Sequence, residues 1–266
     1  MTTVIRLTCP LTHELWEVPI VHEDEQLLAL AKPACLLASP DHADPQRPSL
    51  MRLLHDGIAQ GAPWARQRNL TYLANAHRLD CETSGVLLLA KTKPALVALA
   101  NEFGSNQPVK TYVTLTRGMP AEPEFTVDAR IGPQTRLLGL MRIDTQGGKP
   151  AVTRCQVREQ FRGFTLLQCQ PLTERTHQIR VHLRSVGLHL VGDVHYAGSP
   201  LCLSQIKSSY RPKLNEPERP LMGRVALHAE RLEIKHPATG EPIVLTAEWP
   251  RDLRVTVKYL RQFSGL

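Results

Sequence analysis

The stretch His77-Arg78-Leu79-Asp80-Cys81-Glu82-Thr83-Ser84-Gly85 runs directly into the apolar segment Val86-Leu87-Leu88-Leu89-Ala90. A carboxylate at the mouth of what reads as a buried strand is costly unless it is paired or put to use. Arg78 stands two residues before Asp80, so on an extended segment both side chains project to the same side. Such a carboxylate can act as a nucleophile or a base if a cation offsets the rise in pKa that burial brings. Glu82 follows Asp80 by two, so spacing alone leaves open the paired carboxylates of glycoside or nucleoside hydrolysis. Taken without its neighbours, Asp80 would read as a turn or capping carboxylate. His177 and His182 invite a metal, but a spacing of five misplaces them for joint ligation on a helix, and no metal site is expected.

The elements that must position these residues follow from pattern. Residues 1–19 read as an irregular or strand-forming lead with breaks at Pro10 and Pro19, and Glu25–Ala31 as a buried strand that stops at Lys32-Pro33. Residues 39–48 carry turn formers and read as a loop. Ser49 caps a helix that opens Leu50-Met51-Arg52-Leu53-Leu54. Val86–Ala90 is a short continuous apolar run, which suits a strand covered on both faces. Thr92-Lys93-Pro94 starts a helix with Leu96, Leu99 and Phe103 along one side and Gly104 at its end. Lys110–Arg117 alternates with period two, which predicts a strand with distinct faces. Ala151–Arg158 and Thr165–Gln170 are two more strands. Thr176 then reads as the N-cap of a helix over His177–Val186, whose apolar stripe is Ile179, Leu183 and Val186 and whose Arg180 lies on another face. Residues 204–220, with Pro212, Pro217 and Pro220 among lysines and arginines, read as an exposed basic loop. A hairpin of Arg231–His236 and Ile243–Glu248 follows. Strands outnumber helices and connections are short, so the fold class is α+β with a largely antiparallel sheet.

The chain has 266 residues, enough for a sizeable core. Its 42% hydrophobic and 21% charged residues exclude a disordered chain. A formal net charge of +7 favours polyanionic partners. Six cysteines form no Cys-x-x-Cys pair, which argues against a zinc ribbon, a redox motif or a disulfide framework. The first residues lack a charged region followed by a long apolar stretch, and no apolar run approaches the roughly 20 residues that span a bilayer. The expected location is the cytoplasm, with no membrane partner.

Four blocks in order carry a resemblance. They are Glu23-Asp24 with Leu27-Leu28 and Lys32-Pro33; His77–Gly85; Lys110-Thr111-Tyr112; and Leu172-Thr173-Glu174-Arg175-Thr176-His177-Gln178-Ile179-Arg180-Val181-His182 with Gly192-Asp193 and Tyr196. Gly148-Lys149-Pro150-Ala151, Leu227-His228-Ala229 and His236-Pro237 add to them. Spread over residues 20–250, these blocks closely resemble the RluA family of RNA pseudouridine synthases. The resemblance implies the pseudouridine synthase fold, a mainly antiparallel mixed sheet flanked by a few helices and loops around a central active-site cleft. It implies that Asp80 is the catalytic carboxylate, that Arg180 is its ion partner, and that Tyr112 stacks on uracil and assists proton removal at C5. It makes Arg78 the residue that fills the space of a flipped nucleotide, and Lys110, Arg175 and His177 contacts to RNA. The substrate would be a uridine in tRNA or rRNA, with no cofactor and no metal, and the enzyme a monomer. The expected organisation is a lead over 1–19, a catalytic domain over 20–250 and a C-terminal segment over 251–266, the lead being too short for the RNA-binding domain that many relatives carry there. Cys35 and Glu174 stand where the family usually has glycine. The rival readings are a hydrolase and an RNA-binding protein without catalysis.

Overall fold

The computed structural model describes residues 3–41, 44–135, 137–213 and 216–266. The expected loops over 39–48 and 204–220 thus each include two residues outside those described, as does the lead over 1–19. In chain order the elements are β1 (Val4–Thr8), β2 (Leu15–Glu23), β3 (Leu27–Lys32), α1 (Leu50–Ala59), α2 (Pro63–Arg66), β4 (Ala74–Asn75), β5 (Ser84–Ala90), α3 (Lys93–Gly104) and β6 (Val109–Arg117). After them come β7 (Glu124–Asp128), β8 (Ile131–Pro133), β9 (Met141–Ile143), β10 (Val152–Phe161), β11 (Phe164–Pro171), α4 (Gln178–Ser185), β12 (His189–Leu190), β13 (Leu227–Lys235), β14 (Pro242–Thr246) and α5 (Arg251–Phe263). The class is α+β, as expected. The chain divides into two compact units, residues 1–110 with 229–248 and residues 111–228 with 249–266; two of the three divisions fall inside strands, β6 and β13, and the third between β14 and α5. Among the described residues no helix is long and apolar enough to cross a membrane.

In the first unit β1, β2, β3 and β5 pair antiparallel in that order, β4 adds to β5, and β13 pairs with β14. All seven residues of β5 are buried, which explains its unbroken apolar sequence. The core joins Leu27, Val86, Leu88, Leu99, Phe103, Leu232 and Leu245. Ser49 caps α1 by accepting from the Arg52 amide, and Thr92 caps α3 by accepting from the Ala95 amide, both as read from the sequence. The lead is a β1–β2 hairpin rather than an irregular segment. Pro19 does not break β2: it lies opposite Val4, beside an irregularity of register at Ile20/His22 where a missing N–H is tolerated.

In the second unit β6, β11, β10 and β7 pair antiparallel, with β12 on β6 and β8 paired to β9. One core cluster packs Leu253, Val257 and Leu260 of α5 against Val113, Leu115, Phe164 and Leu166; another packs Ile179 and Leu183 of α4 against Leu167, Cys169 and Leu188. Two expectations give way here. β6 is the predicted strand, but its two faces do not differ in burial: Thr114 and Thr116 are as buried as Val113 and Leu115. α4 begins one residue later than predicted, with His177 rather than Thr176 at the N-cap, and Val186 is a half-exposed C-cap residue outside the stripe.

Candidate active site

Asp80 sits in the first unit at the head of β5. The Thr83 amide donates to the Asp80 carbonyl at 3.1 Å, closing a turn over residues 80–83. The expected extended geometry therefore holds only up to Asp80: Arg78 is exposed, Leu79 is buried and Asp80 is half-buried, while Glu82 lies inside the turn. Spacing alone no longer places Glu82 on the side of Asp80.

A buried lysine braces this turn. Lys32, at the end of β3, is 1% exposed, and its ammonium donates to the carbonyls of Pro33 (2.8 Å), Leu36 (2.7 Å) and Cys81 (3.1 Å). Three carbonyl dipoles solvate a charge that burial would otherwise penalise. The Lys32-Pro33 block thus ties the 33–36 segment to the residue after Asp80. Cys35, within that segment, has φ 62°, the left-handed conformation that favours glycine, which accounts for the family's usual residue there. At the start of β5, Gly85 has φ 120° and a Cβ would lie 2.1 Å from the Ala229 carbonyl oxygen, so β13 passes too close for any side chain. Glu23 and Asp24 prove to be supports of the same frame. Glu23 pairs with Arg68 (2.8 Å) and Lys91 (3.3 Å), and Asp24 accepts from the amides of Gln26 and Leu27.

His77, the first residue of the motif, accepts the Leu88 amide on Nε2 at 3.0 Å and stacks on Phe103, with ring centroids 4.9 Å apart. Desolvation, and then the nearby Lys110 charge, push its pKa down to about 3, so the ring is neutral at physiological pH. Lys110 is itself buried, its ammonium 5.5 Å from the Phe103 ring centre.

The second unit carries Tyr112, Arg175, His177 and Arg180. Tyr112 is half-buried on β6, opposite Cys169 of β11, and packs on the cluster beneath α4. Arg180 does not lie on a solvated face of α4. It is 1% exposed, and its fork holds Asp193, itself fully buried: Nε donates to Oδ2 at 2.7 Å and Nη2 to Oδ1 at 2.8 Å. The guanidinium also stacks 4.9 Å from the centre of the Tyr196 ring. Tyr196 Oη accepts the Met141 amide at 2.9 Å and is hydrogen-bonded to His177 Nδ1 at 2.7 Å. Asp193, Arg180, Tyr196 and His177 form one continuous set of contacts.

Asp193 and Tyr196 are the partners of Arg180 that reasoning from the sequence missed, although both belong to the motif blocks. The signal was Gly192. It has φ 77°, and a Cβ there would lie 1.8 Å from the Arg224 carbonyl oxygen, so the glycine marks a backbone forced close enough to seat Asp193 in the interior. Glu174, the other departure from glycine, is exposed and does not adopt a left-handed φ. Arg175 donates to the Glu174 carbonyl at 2.7 Å. His182 lies 2.9 Å from both Thr153 Oγ1 and the Ala129 carbonyl, and burial lowers its pKa. Among the described residues no group of three or more His, Cys, Asp or Glu side chains is placed to hold a metal ion.

An α+β scaffold that braces an Arg-x-Asp turn at the head of a buried strand, and that carries the block around Arg180, matches one class of RNA-modifying isomerase. The family model described as RNA pseudouridylate synthase matches residues 26–185. The ribosomal large subunit pseudouridine synthase D of Xanthomonas campestris pv. campestris is 36% identical over 253 residues, covering 92% of this chain and 70% of that protein. The protein of the same name from Xylella fastidiosa is 34% identical, with 93% and 70% covered. Among solved structures, human RNA pseudouridylate synthase domain containing 4 superposes with a TM-score of 0.66 at 24% identity over 91% of this chain and 92% of that one, a likeness of fold. The chain belongs to the RluA family of RNA pseudouridine synthases, and it is an isomerase that converts uridine to pseudouridine.

Proposed function

We propose that this enzyme modifies uridine in ribosomal RNA, with Asp80 as the essential carboxylate and Arg180 and Tyr112 acting with it. The observation that carries the assignment of Asp80 is its bracing: a half-buried acid in a turn held by the Lys32 ammonium, at the head of a wholly buried strand. The preference for ribosomal RNA over tRNA rests on the names of the two relatives, ribosomal large subunit pseudouridine synthases.

In the reaction the N1–C1′ bond breaks, the uracil turns, and a C5–C1′ bond forms. Asp80 either attacks C1′ or removes a proton from C2′ to pass through a glycal; either route needs the ionised acid. The proton lost from C5 is matched by one gained at N1, so nothing is oxidised or reduced. Tyr112 stacks on the base and assists removal of the C5 proton. Arg180 offsets the charge of Asp80, and Asp193 holds its guanidinium in one orientation. Arg78, exposed two residues before Asp80, fills the place of the everted nucleotide, and Arg175 and His177 meet the RNA. The enzyme works as a monomer in the cytoplasm, without cofactor.

Mapping pseudouridine in ribosomal RNA and tRNA, from cells with and without the protein, tests this reading. One or a few ribosomal sites should be lost, and Asp80→Asn should fail to restore them. Loss confined to tRNA would overturn the substrate, and restoration by Asp80→Asn would overturn the role of the acid.

A further inference from the structure

Helix α5 lies beyond the residues that the family model matches, and its two faces are sharply different. Leu253, Val257 and Leu260 are at most 1% exposed and packed into the core of the second unit. Arg251, Arg254 and Lys258, at i, i+3 and i+7, are exposed on the opposite side. Seven residues at about 1.5 Å each spread these three cations over roughly 10 Å. The neighbouring charges on the helix are already engaged: Asp252 is held by both arms of Arg224, at 2.7 and 2.9 Å, and Arg261 by Glu159 at 2.8 Å. Among the described residues none of Arg251, Arg254 and Lys258 forms an ion pair. Exposed Arg162 adds a fourth positive charge near the C-terminal end, where its amide donates to the Ser264 carbonyl at 2.8 Å.

We propose that the outer face of α5 is a contact for the RNA phosphate backbone, supplementary to the catalytic residues. A stripe of cations without interleaved acids complements a polyanion, and the enzyme's substrate class, on which this inference rests, is one. An anionic membrane is the less fitting partner. Interfacial helices bind by sinking an apolar face into the bilayer, and the apolar face of α5 is spent inside the protein.

The test compares the intact protein with the triple variant R251Q/R254Q/K258Q, binding a labelled RNA duplex of about 20 base pairs by filter retention at several salt concentrations. Three lost phosphate contacts remove roughly 2–3 from the slope of log affinity against log salt. Between 50 and 200 mM salt the parent should therefore lose roughly 16–64-fold more affinity than the variant. R251K/R254K keeps the charges and should bind like the parent, which separates charge from folding. Equal slopes for parent and triple variant would overturn the proposal. So would unchanged RNA binding with lost adsorption to phosphatidylglycerol vesicles. Asp80→Asn should keep the full slope while making no product. If the parent itself makes no pseudouridine, the catalytic reading fails, and the slope comparison still decides the helix.

Discussion

Replacing Asp193 with Asn separates the two tasks of Arg180. Both side chains are at most 1% exposed, so solvent does not screen the pair, and the fork makes two charge-assisted bonds of 2.7 and 2.8 Å. Asn keeps the volume and one acceptor oxygen but removes the charge and presents an NH2 to a guanidinium nitrogen. Breaking a buried pair by changing one partner costs about 3–5 kcal/mol, and the near-isosteric change belongs near 3. At about 2–4 °C per kcal/mol for a chain of this size, the melting temperature should fall by about 6–12 °C. Release of the C5 hydrogen from labelled RNA, measured well below that temperature, should fall at least tenfold, because Arg180 then settles in more than one orientation. The double variant Arg180→Met/Asp193→Leu replaces the pair with apolar groups; it should recover most of the lost stability and none of the activity. A melting temperature for Asp193→Asn within about 1 °C of the parent would refute the energetic argument. A normal rate in a destabilised Asp193→Asn would refute the positioning argument alone.

Two further outcomes follow from the first unit. The pKa of His77 is about 3 in the folded protein, against an ordinary 6.5, so between those values the unfolded chain binds more protons. The stability that His77 contributes is complete above about pH 6.5 and is lost progressively as pH falls towards 3, with a slope of up to about 1.4 kcal/mol per unit. His77→Gln should flatten denaturant midpoints in that window while costing about 1–3 kcal/mol at pH 7 through the Leu88 amide; an unchanged slope would contradict the assignment. Cys35→Gly, by relieving the left-handed φ of 62°, should raise the melting temperature by about 1–3 °C, and a fall would contradict it.

What could be read from residue order was whatever depends on neighbours in the chain. The caps at Ser49 and Thr92 form because a hydroxyl reaches an amide three residues on, and β5 is apolar from Val86 to Ala90 because it is covered on both sides. α5 was legible in the same way, since Leu253, Val257 and Leu260 carry the helical period after Pro250, yet the segment was assigned no structure. β6 and α4 were misread for a common physical reason. Periodicity separates faces only when one of them is wet, and here Thr114, Thr116, Gln178 and His182 are buried on faces that their polarity would send outward. Three of these side chains find hydrogen-bond partners inside: Thr116 in the Thr165 carbonyl, Gln178 in the Val152 carbonyl and His182 in Thr153. Those partners lie 26 to 49 positions away, beyond the reach of any local pattern.

The site divides along the same line. Arg78, Asp80 and the buried strand behind them are adjacent in sequence, and the motif exposes them. The bracing of Asp80 by Lys32 crosses 49 positions to the Cys81 carbonyl, and the pairing of Arg180 with Asp193 joins a helix to a loop 13 residues on. Glycine was the one local trace of these distant contacts. Gly85 and Gly192 mark places where a backbone passes within 2.1 and 1.8 Å of where a Cβ would sit, and each directly precedes or follows a part of the site. A glycine beside a charged residue that no neighbour can pair is therefore the feature from which Asp193 as the partner of Arg180 was within reach.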